Sequence, residues 1–214
     1  MKTPVIVAMS YPPGALEAWR KKDCTLLTAS RACDFIKKIL SDKVARRSGG
    51  RRFFGEAYVA ARIPHRAGYY GSFKWLSNPR FANNQPFPNS PTKAFQEELR
   101  TALLKHFGKN QLDRLRTRSQ ALEARSGMRP MAPDLWLVDR HGNHHFIEVK
   151  LPGDRIAPAQ RAGMMLINSC LRPKGRLSIE LAVLSPEHDR EPPEGRANKR
   201  LQPTAPRTNE RRRG

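Results

Sequence analysis

The sequence predicts an α/β fold, and three patterns in its second half support this prediction. Apolar residues recur at helical spacing over residues 90–108 and again over 158–167, which predicts two helices. Two apolar runs within residues 133–150 are separated by a turn that contains Gly and Asn, which predicts a β-hairpin. The apolar run LSIELAVL over 177–184 predicts a buried strand. The predicted order is therefore helix, hairpin, helix, strand.

The first of these helices has recognisable ends. Ser90 is a good N-cap and Pro91 suits the first helical position, whereas Gly108 is expected to stop the helix. The basic stretch that follows has little apolar pattern. We expect a strand over 112–119 and a helical turn over 120–126.

The first half of the chain predicts an α+β extension of this core. An apolar stripe at helical spacing predicts a helix over 28–44. Residues 51–75 mix arginines and aromatic side chains with glycines, and we expect short strands and turns there. The aromatic side chains have two interpretations. They form a platform on which nucleotide bases stack, or they form the core of a small β-element, which we favour.

Composition divides the chain into three regions. Residues 77–91 are rich in Asn and Pro, so we place a boundary near residue 90, between a basic and aromatic region (1–90) and a domain (91–186). Residues 187–214 are polar, proline-rich and arginine-rich, and we expect a disordered basic tail. From Arg190 onward this tail has eight basic and three acidic residues, so most of the positive charge of the chain lies elsewhere.

The charge of the chain predicts a polyanionic partner. Lys and Arg number 40 against 19 Asp and Glu, which gives a formal net charge of +21. Nucleic acid and anionic membranes are the usual partners of such a chain. No amphipathic basic stretch favours a membrane, and the apolar run over 5–9 is too short to span one. We expect a cytoplasmic protein that binds nucleic acid and no membrane.

Cysteines and histidines predict no metal site of their own. The cysteines are odd in number and widely spaced, which favours reduced thiols at Cys24, Cys33 and Cys170. His144 and His145 are neighbours, but adjacent residues of a strand point to opposite faces. A structural role for both histidines is therefore expected.

Three charged side chains converge in the predicted hairpin: Asp134, Glu148 and Lys150. If the hairpin is centred on residue 141 or 142, Asp134 lies across from Glu148 or Lys150. Residues two apart on a strand share a face, so Glu148 and Lys150 point the same way. The three side chains share one face only if the turn between the strands has an odd number of residues.

Two carboxylates at this spacing predict a site for a hard divalent cation, and Mg²⁺ is the ion we expect. Mg²⁺ commonly takes one or two carboxylates and fills its other positions with water and substrate phosphate oxygens. Lys150 would then orient an attacking water or stabilise charge on the phosphate. The alternative is that Glu148 and Lys150 form the exposed polar face of an ordinary strand, opposite buried Ile147 and Val149.

These residues resemble the signature of the PD-(D/E)xK nucleases, in which Pro-Asp is followed by a Glu-x-Lys triplet, here Pro133-Asp134 and Glu148-Val149-Lys150. The continuation FIEVKLPGDRIAPAQ over 146–160 is similar to the VRR-NUC branch. The resemblance implies a restriction-endonuclease-like αβββαβ core with a mixed sheet, and metal-dependent cleavage of DNA phosphodiester bonds. The first strand of that core is then expected between residues 109 and 131.

The resemblance also implies roles for residues on both helices. It places a glutamate on the first helix near the metal, and helical angles favour Glu98 over Glu97 because Glu98 lies beside the apolar stripe. It places a glutamine on the helix after the hairpin, here Gln160. The implied catalytic residues are Asp134, Glu148, Lys150 and Gln160, with Asp134, Glu148 and Glu98 as ligands of Mg²⁺ or Mn²⁺. The region 1–90 would bind substrate.

Two other functions stay open. The chain is a non-catalytic nucleic-acid-binding protein if its basic surface acts alone, and binding would then weaken steeply with salt. It is a secreted antibacterial DNase effector if it acts on other cells. Proteins that share the resemblance include repair enzymes that cut branched or flap DNA, phage proteins and restriction-like enzymes.

Overall fold

Four α-helices and five β-strands make up the part of the chain that the computed structural model describes, which is residues 4–21, 23, 53–70, 75–81, 85, 87 and 93–187. The helices are α1 (Ala15–Arg20), α2 (Phe54–Arg62), α3 (Lys93–Ser126) and α4 (Pro158–Cys170). The strands are β1 (Val5–Tyr11), β2 (Ala67–Tyr70), β3 (Leu135–Val138), β4 (His144–Lys150) and β5 (Leu177–Pro186).

The five strands form one mixed sheet in the order β1-β5-β4-β3-β2. Strands β1, β5 and β4 are parallel to one another, whereas β4, β3 and β2 are joined by antiparallel pairings. In the second half of the chain, α3 is followed by the β3–β4 hairpin, then α4, then β5. The predictions of an α/β fold with a mixed sheet, and of the order helix, hairpin, helix, strand, are confirmed.

Helices pack against both faces of this sheet. Alternate residues of a strand point to opposite faces. The face that packs against α1 and α2, which we call the α1/α2 face, carries the buried residues Leu135, Leu137, Ile147 and Val149. The face that packs against α3 and α4, which we call the α3/α4 face, carries Trp136, Val138 and Phe146. Glu148 and Lys150 share the parity of Phe146, so they belong to the α3/α4 face.

Most of the described aromatic side chains from the first half of the chain are core residues. The buried ones include Phe53, Phe54, Tyr58, Tyr70 and Trp75. Tyr11 on β1 meets Phe54 and Tyr58 on α2 edge to face, with ring centroids 5.2 and 6.0 Å away. These residues are core residues, as favoured, but the core is that of the five-stranded sheet and not of a separate small β-element.

The prediction of a strand over 112–119 is wrong, because residues 109–126 form the second half of α3. Gly108 interrupts the helix with φ 72° and ψ 160°, as predicted, but helical backbone resumes directly after it. The buried residues Leu112, Leu115 and Ser119 have the spacing of one helix face. Basic side chains cover the other faces and conceal this period in the sequence.

The strand beside β3 comes from earlier in the chain than expected. β2 pairs antiparallel with β3, Tyr70 opposite Leu135, and takes the position predicted for a strand between residues 109 and 131. The expectation of short strands over 51–75 is correct for β2 and wrong for α2. Phe54, Tyr58 and Ala61 follow the i, i+4, i+7 spacing of a helix and are buried.

Strands from both sides of residue 90 share this one sheet. β1 pairs with β5 along all seven of its residues, and β2 pairs with β3. The division into regions 1–90 and 91–186 therefore stays a prediction about how function is distributed. The helix predicted over 28–44 and the tail beyond residue 187 lie outside the described residues. Within the described part, no helix has the length and apolar character to cross a membrane.

Candidate active site

The β3–β4 hairpin brings Asp134 and Glu148 to opposed positions. Leu135 pairs with Ile147, and the turn between the strands consists of the five residues 139–143. Asp134 precedes Leu135 and Glu148 follows Ile147, so the two carboxylates form the next opposed pair. The turn has the odd number of residues that the convergence requires, and the predicted register is confirmed.

Asp139 holds the turn that sets this register. Its Oδ1 accepts hydrogen bonds from the backbone N–H groups of His141 and Asn143, both at 2.8 Å, and its Oδ2 accepts one from the Asn143 side chain at 2.8 Å. Burial acts to raise the pKa of Asp139, but these donors lower it to about 2. Gly142 adopts φ 80°, which glycine accepts without a steric cost.

Glu148 is fully buried, and its two carboxylate oxygens have different surroundings. Oε1 accepts hydrogen bonds from Lys150 Nζ at 2.7 Å and from Gln160 Nε2 at 2.5 Å. Oε2 is buried and receives no hydrogen bond from a donor group of the described residues; the side chains of Glu148 and Asp134 can share a hydrogen bond only when one of the two carboxyls is protonated. An ionised oxygen without a partner is costly to bury, so Oε2 is stable there only with a proton or a cation.

The environment of the pair favours protonation. Burial, with the charge of Asp134 as a further cause, raises the pKa of Glu148 to about 8, although Lys150 acts to lower it. Burial also raises the pKa of Asp134. The backbone N–H of Val149, which donates to Asp134 Oδ2 at 2.8 Å, acts to lower this pKa but does not offset the burial. Near neutral pH the pair therefore binds a proton unless another positive charge replaces it.

Gln160 connects α4 to this pair. Besides its hydrogen bond to Glu148, its Oε1 accepts one from Lys150 Nζ at 3.1 Å and one from the Ala157 backbone N–H at 2.9 Å. Helix α4 lies so close to the preceding chain that a Cβ added at Gly163 would be 1.6 Å from the Met131 carbonyl oxygen. This close approach seats the first turn of α4 against the sheet, where Gln160 contacts both Glu148 and Lys150.

The structure does not bring the glutamates of α3 to this pair. Glu98 is exposed. The pKa of Tyr69 is raised, mainly because Tyr69 is partly buried and secondly because of the negative charge of Glu98. Glu97 is half-buried on the same helix. Within the part of the chain that the structure describes, no three His, Cys, Asp or Glu side chains are grouped so that they could hold a metal ion. A cation at this site would rest on two carboxylates, with Glu98 outside the group.

The two histidines of β4 point to opposite faces, as predicted. His144 Nδ1 accepts a hydrogen bond from Trp136 Nε1 at 3.1 Å, and burial lowers its pKa to about 4. His145 Nδ1 lies 2.7 Å from Glu180 Oε1, and this hydrogen bond raises the pKa of His145. Both contacts join neighbouring strands of the sheet, which is a structural role.

The donor set fits a hard divalent cation. Asp134 and Glu148 present carboxylates from opposed positions, and one oxygen of Glu148 is buried without a partner. Lys150 and Gln160 bind only the other oxygen of Glu148, so neither competes for Oε2. Mg²⁺ is commonly bound by two carboxylates, while water and phosphate oxygens fill its remaining coordination positions.

Comparison with protein families identifies the segment that carries this site. The model of the VRR-NUC domain matches residues 74–178, a segment that contains α3, the hairpin and α4. It also contains the four hydrogen-bonded residues of the site, which we call the buried network: Asp134, Glu148, Lys150 and Gln160. Strand β1, α2 and β2 lie outside the match. No curated protein and no solved structure matches the chain. Residues 74–178 of the chain thus match the VRR-NUC domain, a family that belongs to the PD-(D/E)xK nuclease superfamily.

Proposed function

We propose that the chain is a metal-dependent deoxyribonuclease that hydrolyses phosphodiester bonds, with Asp134 and Glu148 as ligands of Mg²⁺, which Mn²⁺ can replace. The observation that carries the proposal is Glu148 Oε2, which is buried beside Asp134 and lacks a hydrogen-bond partner among the described residues. The VRR-NUC match supports a nuclease. The net charge of +21 supports a polyanionic substrate.

The side chains of the buried network have different tasks in this proposal. Asp134 and Glu148 would hold a divalent cation, which would supply positive charge to polarise the phosphodiester and lower the pKa of an attacking water. Lys150 Nζ, 2.7 Å from Glu148 Oε1, orients that water or balances charge on the phosphate. Gln160 holds Nζ through its side-chain oxygen. Glu98 is not required, because Mg²⁺ commonly binds through one or two carboxylates.

Cleavage of defined substrates with and without a divalent cation tests the proposal. The purified protein is incubated with single-stranded, duplex and flap DNA, and with RNA of the same sequence, in Mg²⁺, Mn²⁺ or EDTA. We expect DNA scission in either metal and none in EDTA. Salt-dependent binding without scission in any metal would instead indicate a non-catalytic nucleic-acid-binding protein. Scission that persists in EDTA would contradict the metal site.

Replacing Gln160 with Ala is expected to lower kcat by about 10- to 100-fold, the usual effect of removing a residue that orients metal ligands. The variant takes a donor from Glu148 and an acceptor from Lys150, so DNA binding should change less than the rate does. Ser169→Ala, an exposed position on the same helix, is the matched control. A Gln160→Ala protein that cleaves as fast as the wild type would show that Gln160 positions nothing.

A further inference from the structure

An apolar strip on the α3/α4 face of the sheet is not covered by any helix that the structure describes. It consists of Ile6 and Ala8 on β1 and of Leu181 and Val183 on β5, and we call it the β1/β5 strip. Ile6 is 69% exposed and Val183 is 39% exposed, among the highest values for large apolar side chains in the described residues. Ala8 is also exposed, and Leu181 is half-buried. Helix α4 covers the neighbouring part of the same face, around Phe146 and Ile179.

The strip is continuous with the proposed active site. In the parallel pairing of β4 with β5, Glu148 pairs with Leu181 and Lys150 pairs with Val183. In the parallel pairing of β5 with β1, Leu181 pairs with Ile6 and Val183 pairs with Ala8. Paired residues of a parallel sheet point to the same face, and adjacent strands are about 4.8 Å apart. The strip therefore begins beside the catalytic carboxylate and lysine and extends about 10 Å away from them.

The chemistry of the strip differs from that of the rest of the protein. The chain carries a net charge of +21, yet these four positions hold no charged or hydrogen-bonding side chain. A nucleic-acid strand whose phosphate lies at Asp134 and Glu148, and which runs along the sheet towards β1, would pass over these four residues. Its phosphates are attracted by the basic chain, whereas its sugars meet aliphatic groups at these four positions, which Ser10 and Ser185 border on the same face.

We propose that the β1/β5 strip seats the deoxyribose groups next to the scissile phosphate and thereby selects DNA over RNA. A deoxyribose presents a C2′ methylene, which an aliphatic surface accepts. A ribose presents a 2′-hydroxyl, which would be buried against these side chains without a hydrogen-bond partner. The inference rests on the proposed function for the position of the phosphate. It goes beyond that function by assigning sugar selectivity to named residues outside the metal site.

A second copy of the chain is another possible occupant, because β1 is an edge strand with apolar side chains. Charge argues against it, since two copies would each bring a net charge of +21 to the contact. Nucleic acid brings the opposite charge. The test nevertheless includes self-association as an outcome.

Binding measured without metal tests the inference independently of cleavage. Fluorescence anisotropy in EDTA, at one salt concentration, compares single-stranded DNA and RNA of the same sequence. We expect DNA to bind about tenfold more tightly, a ratio that one buried, unpaired hydroxyl can produce. In Mg²⁺, a single ribonucleotide placed beside the scissile phosphate is expected to slow cleavage by a similar factor.

Val183→Thr is the informative variant, because it keeps the β-branched shape and adds one hydroxyl that can pair with a 2′-hydroxyl. We expect it to reduce the DNA-to-RNA ratio by about threefold or more, and the same change at Ile6 to act in the same direction. Met165→Thr is the matched control, since Met165 is 45% exposed on α4, outside the strip. It should leave the ratio unchanged.

The outcomes separate this inference from the proposed function. Equal binding of DNA and RNA, or a ratio that Val183→Thr leaves unchanged, overturns the inference even if the protein cleaves DNA. A DNA preference that depends on Val183 in a protein that never cleaves supports the strip and contradicts the proposed function. If light scattering shows a dimer that Ile6→Lys disrupts, while the DNA-to-RNA ratio is unaltered, the strip is a self-association surface and the inference is wrong.

Discussion

Replacing Asp134 with Asn is expected to lower the rate of DNA cleavage by about a thousandfold or more, because the cation would lose one of its two carboxylate ligands. Lys150→Ala is expected to cause a loss of similar order with less effect on metal affinity. The backbone N–H of Val149 that donates to Asp134 can still donate to the amide oxygen of Asn, so the fold should persist. Initial rates on a single labelled DNA substrate measure both effects.

A half-buried carboxylate on α3 provides the control for these variants. Asp113 lies on the second half of α3, where it pairs with Lys109 at 2.5 Å, and it is not among the residues of the buried network. Asp113→Asn removes one negative charge, as Asp134→Asn does, and should cleave at close to the wild-type rate. Equal rates for the wild type and Asp134→Asn would mean that this carboxylate takes no part in catalysis.

The contribution of Glu148 to the stability of the metal-free protein is expected to fall as the pH rises from about 4.5 to about 8, the window set by its raised pKa. His144, whose pKa burial lowers from 6.5 to about 4, acts in the opposite direction up to about pH 6.5, so the net fall is expected between about pH 6.5 and pH 8. In the unfolded chain the Glu148 carboxyl ionises near pH 4.5, whereas burial raises its pKa to about 8 in the folded protein. Between these values the folded state keeps a proton that the unfolded state loses. Its stabilising effect is complete below the lower value and is lost as the pH approaches the upper one.

The size of this effect is bounded by one proton. The part of the free energy of unfolding that depends on Glu148, which the difference between the wild type and Glu148→Gln isolates, should decrease by up to about 1.4 kcal/mol per pH unit within the window. Urea denaturation in EDTA at several pH values measures it. Glu148→Gln cannot ionise and should show a flatter dependence, whereas Glu17→Gln, on the exposed surface of α1, should retain the wild-type slope.

Divalent cation is expected to reverse this trend. Metal binding requires the ionised carboxylates, so Mg²⁺ or Mn²⁺ should stabilise the protein more at pH 8 than at pH 5. The same stabilisation at both pH values would indicate binding at groups other than Asp134 and Glu148. If the free energy of unfolding of Glu148→Gln falls as steeply with pH as that of the wild type, the buried carboxyl of Glu148 is not the cause of the pH dependence.

The hairpin, and the convergence of Asp134 and Glu148 on it, could be predicted from the sequence because their determinants are local. Asp134 and Glu148 are only fourteen positions apart, and the turn between them contains Asp139, Gly142 and Asn143, whose side chains and backbone fix its length. A turn of defined length determines the register, and the register determines which side chains share a face. Gln160 was predicted from the resemblance to the VRR-NUC branch, because its place on the first turn of a helix that starts at Pro158 did not by itself distinguish it from an ordinary polar residue.

The elements that were misassigned or left unassigned from the sequence depend on contacts between distant parts of the chain. Whether β2 or a segment after α3 lies beside β3 is decided by pairing between residues 67–70 and 135–138, which no local period reports. The short apolar run of β1 is a strand because it pairs with β5, some 175 positions later. The position of Glu98 depends on how α3 packs across the sheet, so helical angles alone did not determine its distance from the carboxylate pair.

The central claim is that Asp134 and Glu148 together bind a divalent cation. Crystals of the protein grown with Mn²⁺, with X-ray data collected near the manganese absorption edge, test it most directly. The account predicts an anomalous peak between the two carboxylates, in contact with Glu148 Oε2, and its loss in Asp134→Asn. Manganese bound at another position in a protein that cleaves DNA would contradict it.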